Sequence, residues 1–187
     1  EGKMSTRKGN VIWMNEVINE AIKKAKKLGS SNIKLAKIVA IGALKYNDLK
    51  RDPKTEVIFD WDEILSMEGN SGPYLQYTYA RSNSVIHKAG KFSSKLIKNL
   101  ELSGEEMILL RTLSKFKDIL VGGSINYSPN TICSYLFNLA SKYNAFYNKY
   151  KIIGSENEDF RLALTLATKQ IIKNGLNILG IEVPEKM

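Results

Sequence analysis

One histidine and one cysteine occur in 187 residues, which leaves nucleophilic and metal chemistry little to work with. Cys133 has no base unless the fold brings His87 beside it, so it reads as a small packing residue rather than a nucleophile. His87 falls on the outer side of its predicted helix and reads as a solvated surface side chain. No metal site is expected, because no second histidine exists and the acidic island around Asp60 has no histidine near it. Phosphate-cradling glycine loops of the P-loop or dinucleotide type are absent. Aromatic and cationic side chains are better supplied, with nine tyrosines and 28 lysines and arginines. Tyr143, Phe146, Tyr147 and Tyr150 interleave with Lys142, Lys149 and Lys151, and Tyr74, Tyr77, Arg81 and Lys88 form a second stripe. Rings beside cations are the chemistry that grips single-stranded RNA, each stacked base contributing about 1–3 kcal/mol. A core helix rimmed by amphipathic tyrosines would show the same pattern. A third group, Gly2 to Asn10, holds three cations and two hydroxyls in a glycine-flanked loop that suits a phosphate chain, as would a merely charged leader.

These side chains must be positioned by helices. Ser71-Gly72-Pro73 opens one, with Pro73 as its first residue; Leu75, Tyr79, Ser82, Ile86 and Ala89 share its packed face, with the Tyr74/Tyr77/Arg81 stripe alongside. Before it, Val11, Met14, Ile18, Ile22, Ala25 and Leu28 mark an amphipathic helix closed by Gly29. Leu35, Ile38, Val39, Gly42 and Tyr46 mark a second, broken at Asp52-Pro53. Val57 to Phe59 reads as a short extended piece, and Asp60 with Glu63 as a capping box. After it, Ser103 with Glu106 caps a helix carrying Leu109, Leu113, Phe116 and Leu120 to a stop at Gly122-Gly123. Ser128-Pro129 starts the most regular helix, with Ile132, Leu136, Leu139, Tyr143, Phe146 and Tyr150 in step; Tyr147 and Lys151, four apart, lie beside that seam. Ser155 with Glu158 caps the last, whose face is Phe160, Leu164, Ala167 and Ile171, with Gly175 and Gly180 loosening its end. The fold class is all-α: a helical bundle over residues 71–187, preceded by a helical and irregular segment over 1–70.

The net charge of +9 is unevenly spread. Residues 1–51 carry +8, 52–80 carry −5, 81–151 carry +7 and 152–187 carry −1. Two basic blocks around an acidic one favour a polyanionic partner, with a lysine-rich solvated surface as the bland counterpart. The lone cysteine, the lack of an apolar run of membrane-spanning length and the lack of a signal-peptide pattern favour a cytoplasmic protein. The opening at Glu1 without a methionine reads as a piece of something longer.

Gly2-Lys3-Met4-Ser5-Thr6-Arg7-Lys8-Gly9-Asn10 resembles the second signature loop of class I aminoacyl-tRNA synthetases. Phe59-Asp60-Trp61-Asp62, Glu68-Gly69-Asn70-Ser71-Gly72-Pro73-Tyr74-Leu75-Gln76-Tyr77, and the ending from Arg161-Leu162-Ala163-Leu164 to Gly180-Ile181-Glu182-Val183-Pro184-Glu185-Lys186-Met187 resemble the arginyl-tRNA synthetase family in particular. The resemblance spans essentially the whole chain. It implies that Lys3, Met4, Ser5, Arg7 and Lys8 belong to a loop closing over ATP, although the pattern departs at Thr6, where the signature has a second lysine, and at Arg7, where it has serine. It implies arginine tRNA as partner, ATP with magnesium as substrate of the parent enzyme and no cofactor tightly bound to this piece. Arginine and ATP would be handled chiefly by an upstream catalytic half, leaving the piece alone inactive, and a monomer is expected. The helical body would be the anticodon-binding domain, with Asn70, Tyr77, Arg81, Tyr147, Lys151 and Met187 toward the tRNA; for Met187 a frayed terminus is the alternative. A free-standing helical RNA-binding or scaffolding module is the other function class, and the loop at Lys3 to Ser5 argues against it.

Overall fold

The computed structural model describes residues 13–27, 32–55, 59–90 and 101–187, and among these it forms eight α-helices and no strand. The expected ATP-loop residues Lys3, Met4, Ser5, Arg7 and Lys8, and also Val57, Ile58 and the helix end at Gly29, lie outside the described residues.

Helices α1 (Met14–Lys27) and α2 (Ile33–Leu49) pack as a pair. Their seam is made mostly of small side chains, Ala21 and Ala25 against Ala36, Val39 and Ala40, with Ile22 and Leu35 partly buried beside it; of the predicted faces Ala25 and Val39 are buried, while Met14 is largely exposed. Alanines let two helices approach closely and cost little side-chain entropy on burial. Asn32 caps α2 by accepting from the Lys34 N–H at 2.8 Å. A short turn, α3 (Trp61–Ile64), is capped by Asp60, which accepts from the Asp62 N–H at 2.8 Å. The expected capping box does not form. Glu63 instead pairs with Lys50 at 2.7 Å and Arg51 at 3.1 Å on the end of α2, and these cations hold its carboxyl below the usual range.

Helix α4 (Gly72–Ala89) is the axis of the bundle, in contact with α2, α7 and α8. Ser71 is its cap, accepting from the Tyr74 N–H at 3.2 Å, which makes Gly72 the first helical residue and Pro73 the second. Pro73 remains well placed, since N–H groups throughout the first turn lack helical partners. A cap of this kind contributes about 1 kcal/mol. The helix is buried on most of its circumference: Gln76, Thr78, Ala80, Asn83 and Val85 are enclosed as well as the predicted Leu75, Tyr79 and Ser82.

The capping box of Ser103 and Glu106 is present, opening α5 (Gly104–Ser114). A second helix, α6 (Phe116–Ile125), follows where one continuous helix is expected. The break at Lys115 coincides with tertiary contacts. The Tyr135 hydroxyl of α7 donates at 3.0 Å to the Thr112 carbonyl, which also accepts from the Lys115 N–H at 3.2 Å, and the Phe116 ring stacks on Tyr135. Gly122 and Gly123 lie inside α6; the chain turns instead at Tyr127, whose φ of 51° is left-handed. Helix α7 (Pro129–Lys149) follows the predicted seam, with Ile132, Leu136, Leu139, Tyr143 and Phe146 buried. Each such side chain contributes about 1.5–3 kcal/mol by leaving water. Helix α8 (Glu158–Ile178) buries Leu162, Leu164, Thr165, Thr168, Ile172 and Leu176, a face rotated from the predicted one. Its expected capping box is absent: the Glu158 carboxylate accepts from the Gly154 N–H, and Ser155 donates to the Ile152 carbonyl. Gly175 does not loosen the helix end but admits the Leu136 side chain, which a Cβ there would meet at 2.6 Å.

Candidate nucleic-acid interface

Three of the residues singled out by sequence meet where α4 passes α7. Tyr77 and Arg81 are one helical turn apart on α4, so their side chains share a face, and Tyr147 comes from α7. The Arg81 guanidinium carbon lies 4.6 Å from the Tyr77 ring centroid and 5.0 Å from that of Tyr147. One of its amino nitrogens donates to the Tyr77 hydroxyl at 3.0 Å, the other to Asn144 Oδ1 at 2.8 Å. All three side chains are half-buried, which strengthens the attraction of a cation for ring faces while leaving a solvent-facing edge. Tyr147 in turn leans on the buried Tyr143, their centroids 6.2 Å apart. The site is a cation held against two rings on rigid helices, suited to an anionic or π-rich partner.

Asn70 belongs to a different contact. Its Oδ1 accepts from the buried Tyr46 hydroxyl at 2.6 Å, while its carbonyl accepts from Lys50 Nζ at 2.9 Å. The Tyr46 hydroxyl also reaches the Cys133 carbonyl at 3.0 Å, so α2, the loop before α4 and α7 are joined through one proton shared between two acceptors. Burial raises the Tyr46 pKa well above the usual phenol value and pushes the Cys133 thiol up to about 12; Cys133 is fully enclosed in the core, as a packing residue should be. His87 is exposed, as expected.

Lys151 is not on the helix with Tyr147. Helix α7 ends at Lys149, and Tyr150 is extended, with φ −119° and ψ 133°. Lys151 is exposed, and its carbonyl accepts from Arg161 Nη1 at 2.8 Å. Met187 is 39% exposed, yet the segment leading to it is docked rather than frayed. Ile181 and Pro184 are buried, and three residues along one face of α4 bind this segment, two of them through its backbone. Gln76 Nε2 donates to the Glu182 carbonyl at 2.8 Å, Asn83 Nδ2 to the Glu185 carbonyl and carboxylate at 3.0 and 2.8 Å, and the Tyr79 hydroxyl to the same carboxylate at 3.3 Å. Helix α4 therefore carries the Arg81 stack and the C-terminal segment together.

Sequence reasoning missed two features. Asn144 lies on the α7 seam and gives no local signal of its tie to Arg81. Tyr150, Lys149 and Arg161 form a cluster with the start of α5: Tyr150 and Lys149 both donate to Glu105, Arg161 pairs with the buried Glu106 at 2.8 Å, and its guanidinium lies 5.0 Å from the Tyr150 ring. Hydrogen bonds from Lys149 and Tyr150 hold the Glu105 carboxyl down at about 2. Burial pushes Glu106 upward, but Arg161 and Ser103 outweigh it and leave that carboxyl below its ordinary value as well. These rings and cations belong to structural contacts. Among the described residues no group of three histidine, cysteine or acidic side chains is placed to hold a metal, and no helix is long and apolar enough to cross a membrane.

Comparison with known proteins matches residues 75–187 to the DALR anticodon binding domain and residues 1–61 to the catalytic domain of class I tRNA synthetases (R). An arginine–tRNA ligase of Clostridium botulinum is 36% identical over 195 residues, covering 99% of this chain and 35% of the relative. One of Clostridium acetobutylicum is 34% identical over 197 residues, covering 100% and 35%. The chain thus spans about a third of the length of the curated relatives it matches. Among solved structures, the arginyl-tRNA synthetase of Thermus thermophilus superposes with a TM-score of 0.90 at 28% identity, covering 99% of this chain and 33% of that one. That of Plasmodium falciparum superposes at 0.80 and 27%, covering 95% and 34%.

Proposed function

The chain belongs to the DALR anticodon-binding domain family, and from that premise we propose that it is the tRNA-binding portion of an enzyme that uses ATP to join arginine to its tRNA. Residues 71–187 bind the anticodon region, and residues 1–70 are the end of the catalytic domain. The observation that carries the reading is the Arg81 guanidinium lying against Tyr77 and Tyr147 from two different helices. Stacked rings beside a fixed cation take unpaired bases and backbone phosphates of an RNA loop, as neither would alone. Asn70, Lys151 and Met187 complete the proposed RNA contacts. The docking of residues 181–185 on α4 supports Met187, because an ordered terminus presents its last residue at a defined place.

Lys3, Met4, Ser5, Arg7 and Lys8 are assigned to the loop that steadies the ATP triphosphate, where preorganised cations oppose charge developing on pyrophosphate. Magnesium would accompany the nucleotide, and arginine and most of the ATP contacts belong to the remainder of the enzyme. The protein acts in the cytoplasm, as a monomer. The similarity of residues 1–61 to a catalytic domain weighs against a free-standing RNA-binding module.

The test is a binding titration of the 187-residue chain with arginine tRNA and with a second tRNA over a salt series. Arginine tRNA is expected to bind more tightly at every salt concentration, with affinity falling steeply as salt rises. Removing Met187 together with Tyr147→Ala weakens arginine tRNA by about tenfold or more, from the loss of a stacked ring and an end contact. Unchanged binding rejects the contact assignment. Arginylation by this chain alone would reject the division of labour between it and the rest of the enzyme.

A further inference from the structure

Two rings fix where the Arg81 guanidinium lies, but rings alone do not fix how it is turned in its own plane. Asn144 supplies that constraint. It stands on α7 one turn before Tyr147 and is 9% exposed. Its Nδ2 donates to the Tyr74 hydroxyl and to Thr78 Oγ1, both at 3.0 Å. Thr78 already gives its own hydroxyl proton to the Tyr74 carbonyl at 2.9 Å, so towards Asn144 it acts as an acceptor. That settles which way the amide faces: nitrogen toward α4, and Oδ1 toward Arg81, whose Nη1 donates to it at 2.8 Å. The second amino nitrogen of Arg81 donates to the Tyr77 hydroxyl. Of the five N–H groups of a guanidinium, these bonds among the described residues use two.

The same α4 positions explain why this is more than a stitch between helices. Tyr74 and Thr78 alone would satisfy the Asn144 amine and join α4 to α7. The third bond, to Arg81, reaches a half-buried side chain at the edge of the interface and restricts its rotation. We propose that Asn144 is a positioning residue for RNA recognition, holding the Arg81 fork pre-oriented beside Tyr77 and Tyr147 so that its open edge meets a pair of acceptor atoms on the bound RNA. A pre-oriented fork loses less rotational freedom on binding than a free one. The inference rests on the reading that Arg81 faces the tRNA.

The experiment measures dissociation constants for an anticodon stem-loop of arginine tRNA with the parent chain, Asn144→Ala, Arg81→Ala, the double variant and Arg81→Lys. It also records the Arg81 Nε–Hε NMR signal in the free protein. Arg81→Ala is expected to weaken binding by about tenfold or more, and Asn144→Ala by about threefold to tenfold. The double variant binds no more weakly than Arg81→Ala, because Asn144 acts through Arg81. In Asn144→Ala the Arg81 signal broadens or shifts as the fork is released. Arg81→Lys loses nearly as much as Arg81→Ala, because an ammonium keeps the charge but not the planar fork. If Asn144→Ala does not fold, this last variant still decides: parent-like binding by Arg81→Lys overturns the proposal. So does a double variant weaker than Arg81→Ala by the full Asn144→Ala factor, or parent-like affinity in Asn144→Ala while Arg81→Ala is weak, results that leave the RNA-binding reading standing. Parent-like binding by Arg81→Ala overturns the reading itself and the proposal with it.

Discussion

Replacing Gly72 by alanine probes a close approach of α4 to the backbone of α2. A Cβ on Gly72 would lie 2.7 Å from the Gly42 carbonyl oxygen and 3.0 Å from the Gly42 carbonyl carbon and the Ala43 Cα. Every one of those atoms is backbone in the middle of α2, so no side chain can swing aside. Nor can α2 retreat freely, since Gln76 Nε2 donates to the Ile38 carbonyl at 3.2 Å and Tyr46 ties its far end to Asn70 and α7. Forcing a methyl group into a packed site costs about 1–3 kcal/mol, and an unyielding backbone contact belongs at the upper end. Alanine returns at most about 1 kcal/mol through its better helix propensity. The net loss is about 2 kcal/mol, which for a domain of this size lowers the melting temperature by about 4–8 °C. Gly122→Ala is the control: it lies within α6 with nothing within 4 Å of a Cβ, so the same chemical change should stabilise by about 0.5–1 kcal/mol. Thermal melts by circular dichroism, with urea midpoints alongside, measure both. A Gly72→Ala chain that melts with or above the parent would refute the close backbone approach. Because α2 lies in the segment similar to a synthetase catalytic domain and α4 lies largely in the one matched to the DALR anticodon binding domain, that approach is also a place where the two segments meet.

Two further outcomes follow from local geometry. Tyr127 is 90% exposed and holds a left-handed φ of 51° at the end of α6, where Ser128 N–H donates to the Gly123 carbonyl; Tyr127→Gly relieves about 1 kcal/mol of backbone strain and raises the urea midpoint, and a lowered midpoint would show that the tyrosine ring contributes more than its backbone costs. Glu105 and Glu106 both ionise more readily in the folded chain than their ordinary value of 4.5, Glu105 at about 2. Carboxyls lowered by folding stabilise the protein fully above pH 4.5 and lose that contribution as pH falls toward 2; Glu105→Gln should therefore flatten the acid side of the stability–pH curve, and an unchanged slope would reject the coupling to Lys149 and Tyr150.

Legibility followed the range of the interaction. Ser103 with Glu106 and Asp60 before Trp61 were readable because a cap is made within three residues, whereas the start of α4 was read one residue late, at Pro73 instead of Gly72. The seam of α7 was readable because buried side chains repeat with the helical period. Glu63 and Glu158 sit at spacings that fit capping boxes equally well, and only their neighbours in space, Lys50 and Arg51 for one and the Gly154 turn for the other, drew them away. Where α5 ends, the Thr112 carbonyl accepts from the hydroxyl of Tyr135, 23 positions later, and no window of sequence around residue 115 holds that information.

The candidate site divides in the same way. Residue types and spacing alone established an all-helical chain with two basic blocks, the pairing of Tyr77 with Arg81 one turn apart, and a resemblance that the family match sustains. Those are properties of local periodicity, composition and motif. Only the tertiary structure put Tyr147 on Arg81, separated Lys151 from Tyr147, turned Tyr150 toward Glu105 and laid the last residues along α4. Each of those outcomes depends on which helix lies opposite which. That is decided by packing across the whole bundle, where partners dozens of positions apart compete for the same polar groups.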